Sequence, residues 1–378
     1  MELPRLDPDL PYLADVVPSV LAALGVRAFD ARIPLRDGLV GACVLLIDGL
    51  GAELLDTHAD EAPVLAALRG RTLQVGFPST TAAGVAAVGT GCLSGEHGMV
   101  GYTFALPDTG VINTLRWRPH PRGDDLRAVA VPEQVQPMPT AFERASDAGV
   151  AVTIVNKAEF EGSGLTRAVL RGARYVGVQG LGDLAAGVRR TVAAGGFCYG
   201  YHGDLDMVGH VHGPGSEPWR MQLRQVDRLV ESVVDGLPAG ALLAVVADHG
   251  MVAVAESDTV DLDGLRTISD GVVDIGGEAR ARHVYTAPGA AHDVLTAWRA
   301  ELGERAWVVT RDEAIDAGWF GATVIDSVRP RIGDVVAAAR DSVALVRRTV
   351  EPVESSLRGH HGSLTTAEQR IPLLLAYG

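Results

Sequence analysis

The sequence has few cysteines and a shortage of positive charge, and each shortage excludes a class of protein. Its three cysteines, Cys43, Cys92 and Cys198, form no Cys-x-x-Cys pair. We interpret them as free thiols of a reducing compartment rather than as a disulfide framework. Lys and Arg number 33 against 47 Asp and Glu, which gives a net charge of −14. This balance argues against a general binder of nucleic acid or of an anionic membrane, because such proteins need a cationic surface.

Long apolar runs are missing as well. A membrane-spanning helix needs about 18 consecutive apolar residues, and no such segment occurs. Residues 1–17 hold acids and prolines where a signal peptide would have a basic patch and an apolar run. We therefore expect a protein that is cytoplasmic and has no membrane partner.

What the chain does contain is a regular alternation of short apolar runs and helical patterns. Hydrophobic residues make up 47% of it, although aromatic residues make up only 5%. The apolar runs predict buried strands at 42–47, 151–156, 196–201 and 241–247. Between the last two, residues 216–237 have helical periodicity, with Ser216 as N-cap. This order predicts an α/β fold with a mostly parallel central sheet flanked by helices.

The stretch from 256 to 332 is more charged and has its own short strand–helix pattern. We predict that it is a smaller α/β subdomain, inserted like a cap. The catalytic core would then consist of residues 35–255 and 333–378, with residues 1–34 packing on it.

Aspartate and histidine recur just after the predicted strands and near the C-terminus. They are Asp48, Asp206, His210, Asp248, His249, His360 and His361. Each has an ordinary structural explanation as a turn residue or a solvated pair. Because the carboxyl ends of parallel strands meet at one edge of a sheet, however, the set predicts a metal site. Six ligands and a hydroxyl exceed the needs of one tetrahedral zinc, so two divalent ions are predicted.

Five segments resemble the nucleotide pyrophosphatase/phosphodiesterase (type I phosphodiesterase) branch of the alkaline phosphatase superfamily. They are LLIDGLG (45–51), FPSTTAAGVAAVGTGCLSGEHGMVGY (77–102), DLDMVGHVHGP (204–214), VVADHGM (245–251) and HHGS (360–363). The resemblance covers roughly residues 40 to 251 and the C-terminal segment. It implies a two-metal hydrolase of phosphate esters with an alkaline-phosphatase-like core. Zinc is favoured, although Asp and His ligands also accept manganese or iron.

The resemblance also assigns roles to residues. Thr81 stands nine residues before Thr90 and is the implied nucleophile, with Thr80 the near alternative and Ser79 a cap or turn residue. The first ion would be held by Asp48, Thr81, Asp248 and His249, and the second by Asp206, His210 and His361. His361 is preferred to His360 because it directly precedes Gly362, and His210 is preferred to His212 by its spacing from Asp206.

One position departs from the family pattern. Tyr102 stands where the phosphodiesterases usually have an asparagine that contacts a phosphoryl oxygen. Ala82 and Tyr102 are predicted to contact the substrate, and Trp117 could stack on a base or anchor a loop. The expected partner is a small phosphorylated molecule, most simply a phosphodiester. A phosphomonoesterase, a phosphonate hydrolase or a phosphomutase of the same superfamily is the alternative, and a non-catalytic phosphate-binding protein is a weaker one.

Overall fold

The computed structural model describes residues 3–378. Its α-helices are α1 (Val16–Ala23), α2 (Ala52–Thr57), α3 (Pro63–Ala67), α4 (Thr81–Thr90), α5 (Ser94–His97), α6 (Pro132–Val135), α7 (Ala141–Asp147), α8 (Gly164–Val169), α9 (Leu181–Ala193), α10 (Asp204–His212), α11 (Glu217–Val234), α12 (Ala291–Leu302), α13 (Arg311–Asp316) and α14 (Thr366–Gln369). Its strands are β1 (Gly41–Ile47), β2 (Arg69–Gln74), β3 (Thr103–Leu106), β4 (Gly110–Asn113), β5 (Arg118–Pro119), β6 (Val152–Lys157), β7 (Arg174–Val178), β8 (Gly196–His202), β9 (Ala241–Val246), β10 (Val252–Ala253), β11 (Thr259–Asp261), β12 (Val272–Glu278), β13 (Ala281–Thr286), β14 (Ala306–Thr310), β15 (Val335–Ala339), β16 (Ala344–Val346), β17 (Gly359–His360) and β18 (Arg370–Tyr377).

The central sheet has the order β2-β18-β9-β1-β8-β6-β7. Its strands β9, β1, β8, β6 and β7 pair in parallel, whereas β18 runs antiparallel to both β9 and β2. Every residue of β1 is buried, because helices cover the sheet. The mostly parallel α/β sheet is therefore confirmed, and the four predicted strands are β1, β6, β8 and β9. Ser216 does cap α11, since its hydroxyl accepts the Trp219 N–H.

A smaller antiparallel sheet has the order β12-β13-β15-β14, with α12 packed on it. We expected residues 333–339 to resume the core, but β15 lies between β13 and β14 instead. The reason is that β15 is apolar on both faces: Val336 and Ala338 join the main core, while Val335 and Ala337 join the smaller one. Strand β15 thus belongs to the smaller sheet but contributes to both cores, and the division into domains stays a prediction.

The N-terminal region packs on the main core. Helix α1 buries Val17 and Val20 in the same hydrophobic cluster as β1. The first two residues of the predicted segment 1–34 lie outside the described residues. Within residues 3–378, none of the helices is both long and apolar enough to cross a membrane. The cytoplasmic location stays a prediction.

Candidate functional site: a cluster of aspartates and histidines

The predicted Asp and His residues all lie at one edge of the central sheet. Asp48 directly follows β1, and Asp248 comes two residues after the end of β9. Asp206 and His210 lie in α10, which begins two residues after β8. His361 follows β17, the short strand that pairs with β10 just beyond Asp248. Parallel strands bring their carboxyl ends together, which places three of the segments side by side. The antiparallel pair of β10 and β17 brings the fourth segment, which carries His361, to the same place.

The residues predicted for the first ion surround the ring of His249. Its Nε2 lies 3.3 Å from Asp48 Oδ1 and 3.7 Å from Asp248 Oδ2. The Thr81 Oγ1 atom lies 3.2 Å from the same nitrogen. Asp48, Asp248 and His249 are all buried, and their ligand atoms are close enough together to hold one metal ion.

The residues predicted for the second ion form an adjoining group. His210 Nε2 lies 3.3 Å from Asp206 Oδ2, and His361 Nε2 lies 3.8 Å from Asp206 Oδ1. The two histidine Nε2 atoms are 3.2 Å apart. The rings of His249 and His361 stack with their centroids 3.5 Å apart, so the two groups share a border.

The hydrogen bonds of the histidines determine which ring nitrogen faces the cluster. His210 Nδ1 is 2.7 Å from the Gly359 carbonyl oxygen, and His361 Nδ1 is 2.9 Å from that of Ser79. A carbonyl can only accept, so each Nδ1 carries the proton and donates it. In the neutral ring Nε2 is then a bare lone pair, and burial lowers the pKa of both histidines, which keeps them neutral. Two lone pairs facing each other at 3.2 Å suit a cation between them.

The carboxylates point to the same conclusion. Asp48 Oδ1, Asp206 Oδ1 and Asp248 Oδ2 are shut off from solvent and have no hydrogen-bond partner among the described residues. Burial and the nearby Asp48 raise the pKa of Asp206 and Asp248 well above the usual range. Burial opposes a charge on His249, yet Asp248 and Asp48 outweigh it and raise the pKa of that histidine. A field that favours a proton there also favours a divalent cation, so these residues fit the binding of metal ions.

Thr81 is the first residue of α4 and faces the cluster. Its helix is almost wholly buried and consists of small residues. A methyl group added at Gly84 would lie 2.4 Å from Asp248 Cβ, so the absence of a side chain lets the helix approach the strand end. The first amides of a helix have no partner within it, and they lie here beside the Thr81 hydroxyl.

A cavity of about 250 Å³ opens beside Thr81, Asp48 and Asp206. Its walls are mainly apolar and include Val85, Leu115, Phe160, Leu165, Leu170, Tyr199 and Met207. Lys157 and Asn156 lie in the wall as well. The Lys157 ammonium group forms a 2.6 Å ion pair with Asp204, which partly neutralises it. The cavity therefore adjoins the reactive group and offers an apolar environment with one paired cation.

Two residues next to the cluster were missed by the sequence reasoning. The Tyr201 hydroxyl donates to Asp48 Oδ2, the oxygen on the far side from His249. Tyr199 and Tyr201 are two residues apart in β8, so their side chains lie on the same face of the sheet, shortly before Asp206. This spacing could have indicated Tyr201 from the sequence. Glu278, at the end of β12, accepts a hydrogen bond from the Thr80 hydroxyl at 2.6 Å. Burial raises the pKa of Glu278 to about 8. No local pattern could have placed this glutamate, since it lies 198 residues from Thr80.

Some predicted contacts find other partners. The Tyr102 hydroxyl donates to Glu354 at 3.2 Å, and neither Tyr102 nor the buried Ala82 belongs to the wall of the cavity that the described residues form. Contact of these two residues with substrate stays a prediction. Trp117 is 1% exposed and donates to the Ala130 carbonyl, so it anchors a loop.

The serine and the histidines that were not chosen as nucleophile or ligands make other contacts or face solvent. His360 Nε2 lies 3.1 Å from the Leu357 carbonyl, and His212 is exposed to solvent. The Ser79 hydroxyl donates to the Ser363 carbonyl. The choice of Thr81, His210 and His361, and their roles as nucleophile and ligands, stay predictions.

The cluster, the buried helix that begins at a threonine and the parallel sheet are the features expected of a metal-dependent phosphoester hydrolase of the alkaline phosphatase superfamily. Residues 42–364 match the family model of type I phosphodiesterase/nucleotide pyrophosphatase. The chain belongs to this family. No curated protein sequence matches it.

Solved structures of other proteins share the fold of this chain. Murine ectonucleotide pyrophosphatase/phosphodiesterase 5 has a TM-score of 0.69 at 16% identity, over 89% of this chain and 88% of that one. A structure of its inactive threonine-to-alanine variant in complex with AMP has a TM-score of 0.68 at 16% identity, with the same coverage. Phosphonoacetate hydrolase from Sinorhizobium meliloti, in complex with phosphonoformate, has a TM-score of 0.66 at 19% identity, over 90% of each chain.

Proposed function

We propose that this protein is a two-metal phosphodiesterase or nucleotide pyrophosphatase in which Thr81 is the nucleophile. The observation that carries the proposal is the position of the Thr81 hydroxyl, 3.2 Å from His249 Nε2 and at the start of a buried helix. Asp48, Asp248 and His249 would hold one ion beside it, and Asp206, His210 and His361 the other. A threonine-to-alanine variant of the murine relative is inactive, which supports a threonine in this role.

The chain's own groups then have distinct tasks. Divalent ions bound to these residues would lower the pKa of the Thr81 hydroxyl and offset the charge of the phosphoryl group. Thr81 Oγ attacks phosphorus in line, the bond to the leaving oxygen breaks, and Thr81 carries the phosphoryl group with its remaining substituent. Water hydrolyses this intermediate and regenerates the threonine. The free amides at the start of α4 donate to phosphoryl oxygens, and the organic part of the substrate occupies the apolar cavity.

A phosphonate hydrolase is the second candidate, and Lys157 is the observation that favours it. This lysine lies in the cavity wall, where its ammonium group could meet a carboxylate of the substrate. A fold relative was solved in complex with phosphonoacetate, which has such a group. The Lys157 ammonium group, however, already forms an ion pair with Asp204 at 2.6 Å, so it has a carboxylate partner without any substrate. We therefore rank the phosphodiester first.

Initial rates on bis-p-nitrophenyl phosphate, p-nitrophenyl phosphate and phosphonoacetate, with added zinc and with chelator, test the proposal. We expect the diester to be cleaved fastest, activity to disappear with chelator, and Thr81→Ala to abolish turnover while it keeps most of the bound zinc. Faster monoester or phosphonate cleavage would replace the proposed substrate class. Full activity in Thr81→Ala would refute the proposed nucleophile.

A further inference from the structure

The residue before the nucleophile has the backbone of a helix cap but does not cap the helix. Thr80 is the N-cap of α4, with an extended backbone at φ −139° and ψ 150°. From this conformation a threonine hydroxyl ordinarily accepts the N–H of the second or third helical residue. The Thr140 hydroxyl does so in α7, where it accepts the Glu143 N–H at 2.9 Å. The Thr80 hydroxyl makes no such bond and instead donates to Glu278 Oε2 at 2.6 Å.

Glu278 is held in place by the hairpin that carries it. It ends β12, and it pairs with Ala281 at the start of β13, across a two-residue turn. The next residue but one, Arg280, forms a 2.7 Å ion pair with Glu368, and both side chains are fully buried. Glu368 Oε1 in turn accepts the Ser363 N–H, two residues beyond His361. The hairpin tip therefore reaches both the start of the nucleophile helix and the loop that carries His361.

The other oxygen of Glu278 is unusual. Oε1 is shut off from solvent and has no hydrogen-bond partner among residues 3–378. A methyl group on Gly362 would lie 3.1 Å from it, so this oxygen lies against the His361 loop. A buried polar atom without a partner costs free energy. A hydrogen bond between Thr80 and Glu278 that stabilised only the fold would not need Oε1 to be left unpaired.

The bond between Thr80 and Glu278 has a consequence for the helix. The first hydrogen bond within α4 runs from the Gly84 N–H to the Thr80 carbonyl, at 2.9 Å. The amides of residues 81–83 therefore have no partner inside the helix. If the Thr80 hydroxyl turned towards them, it would accept one of these N–H groups and compete with a phosphoryl oxygen for it.

We propose that Glu278 is a positioning residue that holds the Thr80 hydroxyl away from the helix and so keeps the first amides of α4 open to the phosphoryl group. This inference rests on the proposed function, because it assigns those amides to the substrate. It gives the hairpin formed by β12 and β13 an indirect part in the phosphoryl site, because Glu278 acts through the Thr80 hydroxyl.

If Glu278 acts by restraining the Thr80 hydroxyl, removing that hydroxyl should restore the phosphate affinity that a Glu278 variant loses. A hydrogen bond that only stabilised the fold would not give this restoration. In Glu278→Ala the Thr80 hydroxyl is free to cap the helix, and orthophosphate binding to the zinc-loaded protein should weaken roughly 2- to 30-fold, the worth of a cap. In the double variant Glu278→Ala/Thr80→Val no hydroxyl remains to cap, so phosphate affinity should return to within about threefold of the wild type. Glu278→Gln keeps an oxygen acceptor for Thr80 and should recover most of the loss.

Calorimetric titration of orthophosphate, with the zinc content of each protein measured, gives these affinities without any turnover. Thr140→Val is the matched control, because it removes a threonine that does cap: its melting temperature should fall while phosphate affinity stays unchanged. Should Glu278→Ala fail to fold, Glu278→Asp takes its place, because its side chain is one methylene shorter and moves the acceptor away from Thr80. It is also combined with Thr80→Val.

The outcomes separate this inference from the proposed function. Equal weakening in Glu278→Ala and in the double variant, or no weakening in either, would overturn the inference. If this restoration appears but the wild type hydrolyses no ester, the inference holds and the proposed activity fails. If esters are hydrolysed and phosphate affinity is the same in all variants, the inference alone fails.

Discussion

Replacing Gly84 by alanine should disturb the metal site through a single methyl group. Gly84 lies in α4, the helix that begins at Thr81, and a Cβ there would be 2.4 Å from Asp248 Cβ and 2.9 Å from the Asp248 carbonyl oxygen. Carbon atoms in contact prefer about 3.5–4.0 Å, so the helix and the strand end must separate by about 1 Å. The methyl group thus pushes Thr81 away from Asp248 and His249.

The size of the effect follows from that displacement. Overpacking costs about 1–3 kcal/mol, and the better helix propensity of alanine returns ~1 kcal/mol. The free energy of unfolding should therefore fall by up to about 2 kcal/mol. A misplacement of about 1 Å at a reacting group lowers the rate roughly 100-fold. Activity should therefore suffer more than stability.

Two other glycines provide controls. At Gly89, in the same helix, a Cβ would lie 1.9 Å from the Val169 carbonyl oxygen, and its nearest neighbours, Val169 and Leu170, are not among the predicted metal ligands. Gly89→Ala should lose at least as much stability as Gly84→Ala but keep its zinc affinity. At Gly182 in α9 a Cβ would meet nothing within 4 Å, so Gly182→Ala should be neutral or stabilising by up to ~1 kcal/mol.

Urea unfolding, zinc titration and kcat/KM on a diester measure the three quantities for each variant. If Gly84→Ala bound zinc and turned over like the wild type, the close approach of α4 to Asp248 would have no part in the site. Equal losses of activity in Gly84→Ala and Gly89→Ala would mean that general destabilisation explains both.

Three further predictions concern metal, pH and the cavity. Zinc at a hundredfold excess over its Kd should stabilise the chelator-treated protein by about 3 kcal/mol, because it would bind the buried carboxylate oxygens that lack hydrogen-bond partners. Identical melting curves with and without zinc would contradict this. Burial opposes ionisation of Glu351, but Arg282 and His120 lower its pKa from 4.5 to about 2. Because the pKa is lower in the folded state, the stability that ionised Glu351 contributes is complete above about pH 4.5 and is lost as the pH falls towards 2. In acid-unfolding titrations the wild type should therefore lose about 3 kcal/mol more of its free energy of unfolding than Glu351→Gln over that range. Parallel curves for the two proteins would show that Glu351 has no such role. Lys157→Met should raise KM for phosphonoacetate about tenfold if its ammonium group meets an anion and change KM for a diester much less; an equal change for both substrates would remove Lys157 from substrate selection.

Local patterns predicted the parts of the site that lie on regular elements. Asp48 and Asp248 follow apolar runs, and such runs become parallel strands whose ends meet at one edge. In each case the signal lies within a few residues of the side chain concerned.

The features that were not predicted depend on contacts between distant segments. Glu278 reaches Thr80 across 198 residues, and Tyr102 meets Glu354 across 252. The placement of β15 in the smaller sheet is of the same kind, because its apolar faces suit either core and only the pairing with β13 and β14 decides. Periodicity describes one element at a time, so it does not determine which elements meet.

Trapping the covalent intermediate tests the central claim most directly. The zinc-loaded protein is mixed with bis-p-nitrophenyl phosphate, quenched in acid within the first turnover, digested and sequenced by mass spectrometry. We expect an aryl-phosphoryl group on Thr81 and none on Ser79 or Thr80. An adduct on either neighbour, or release of p-nitrophenol without any adduct on Thr81, would contradict the role of Thr81 as nucleophile.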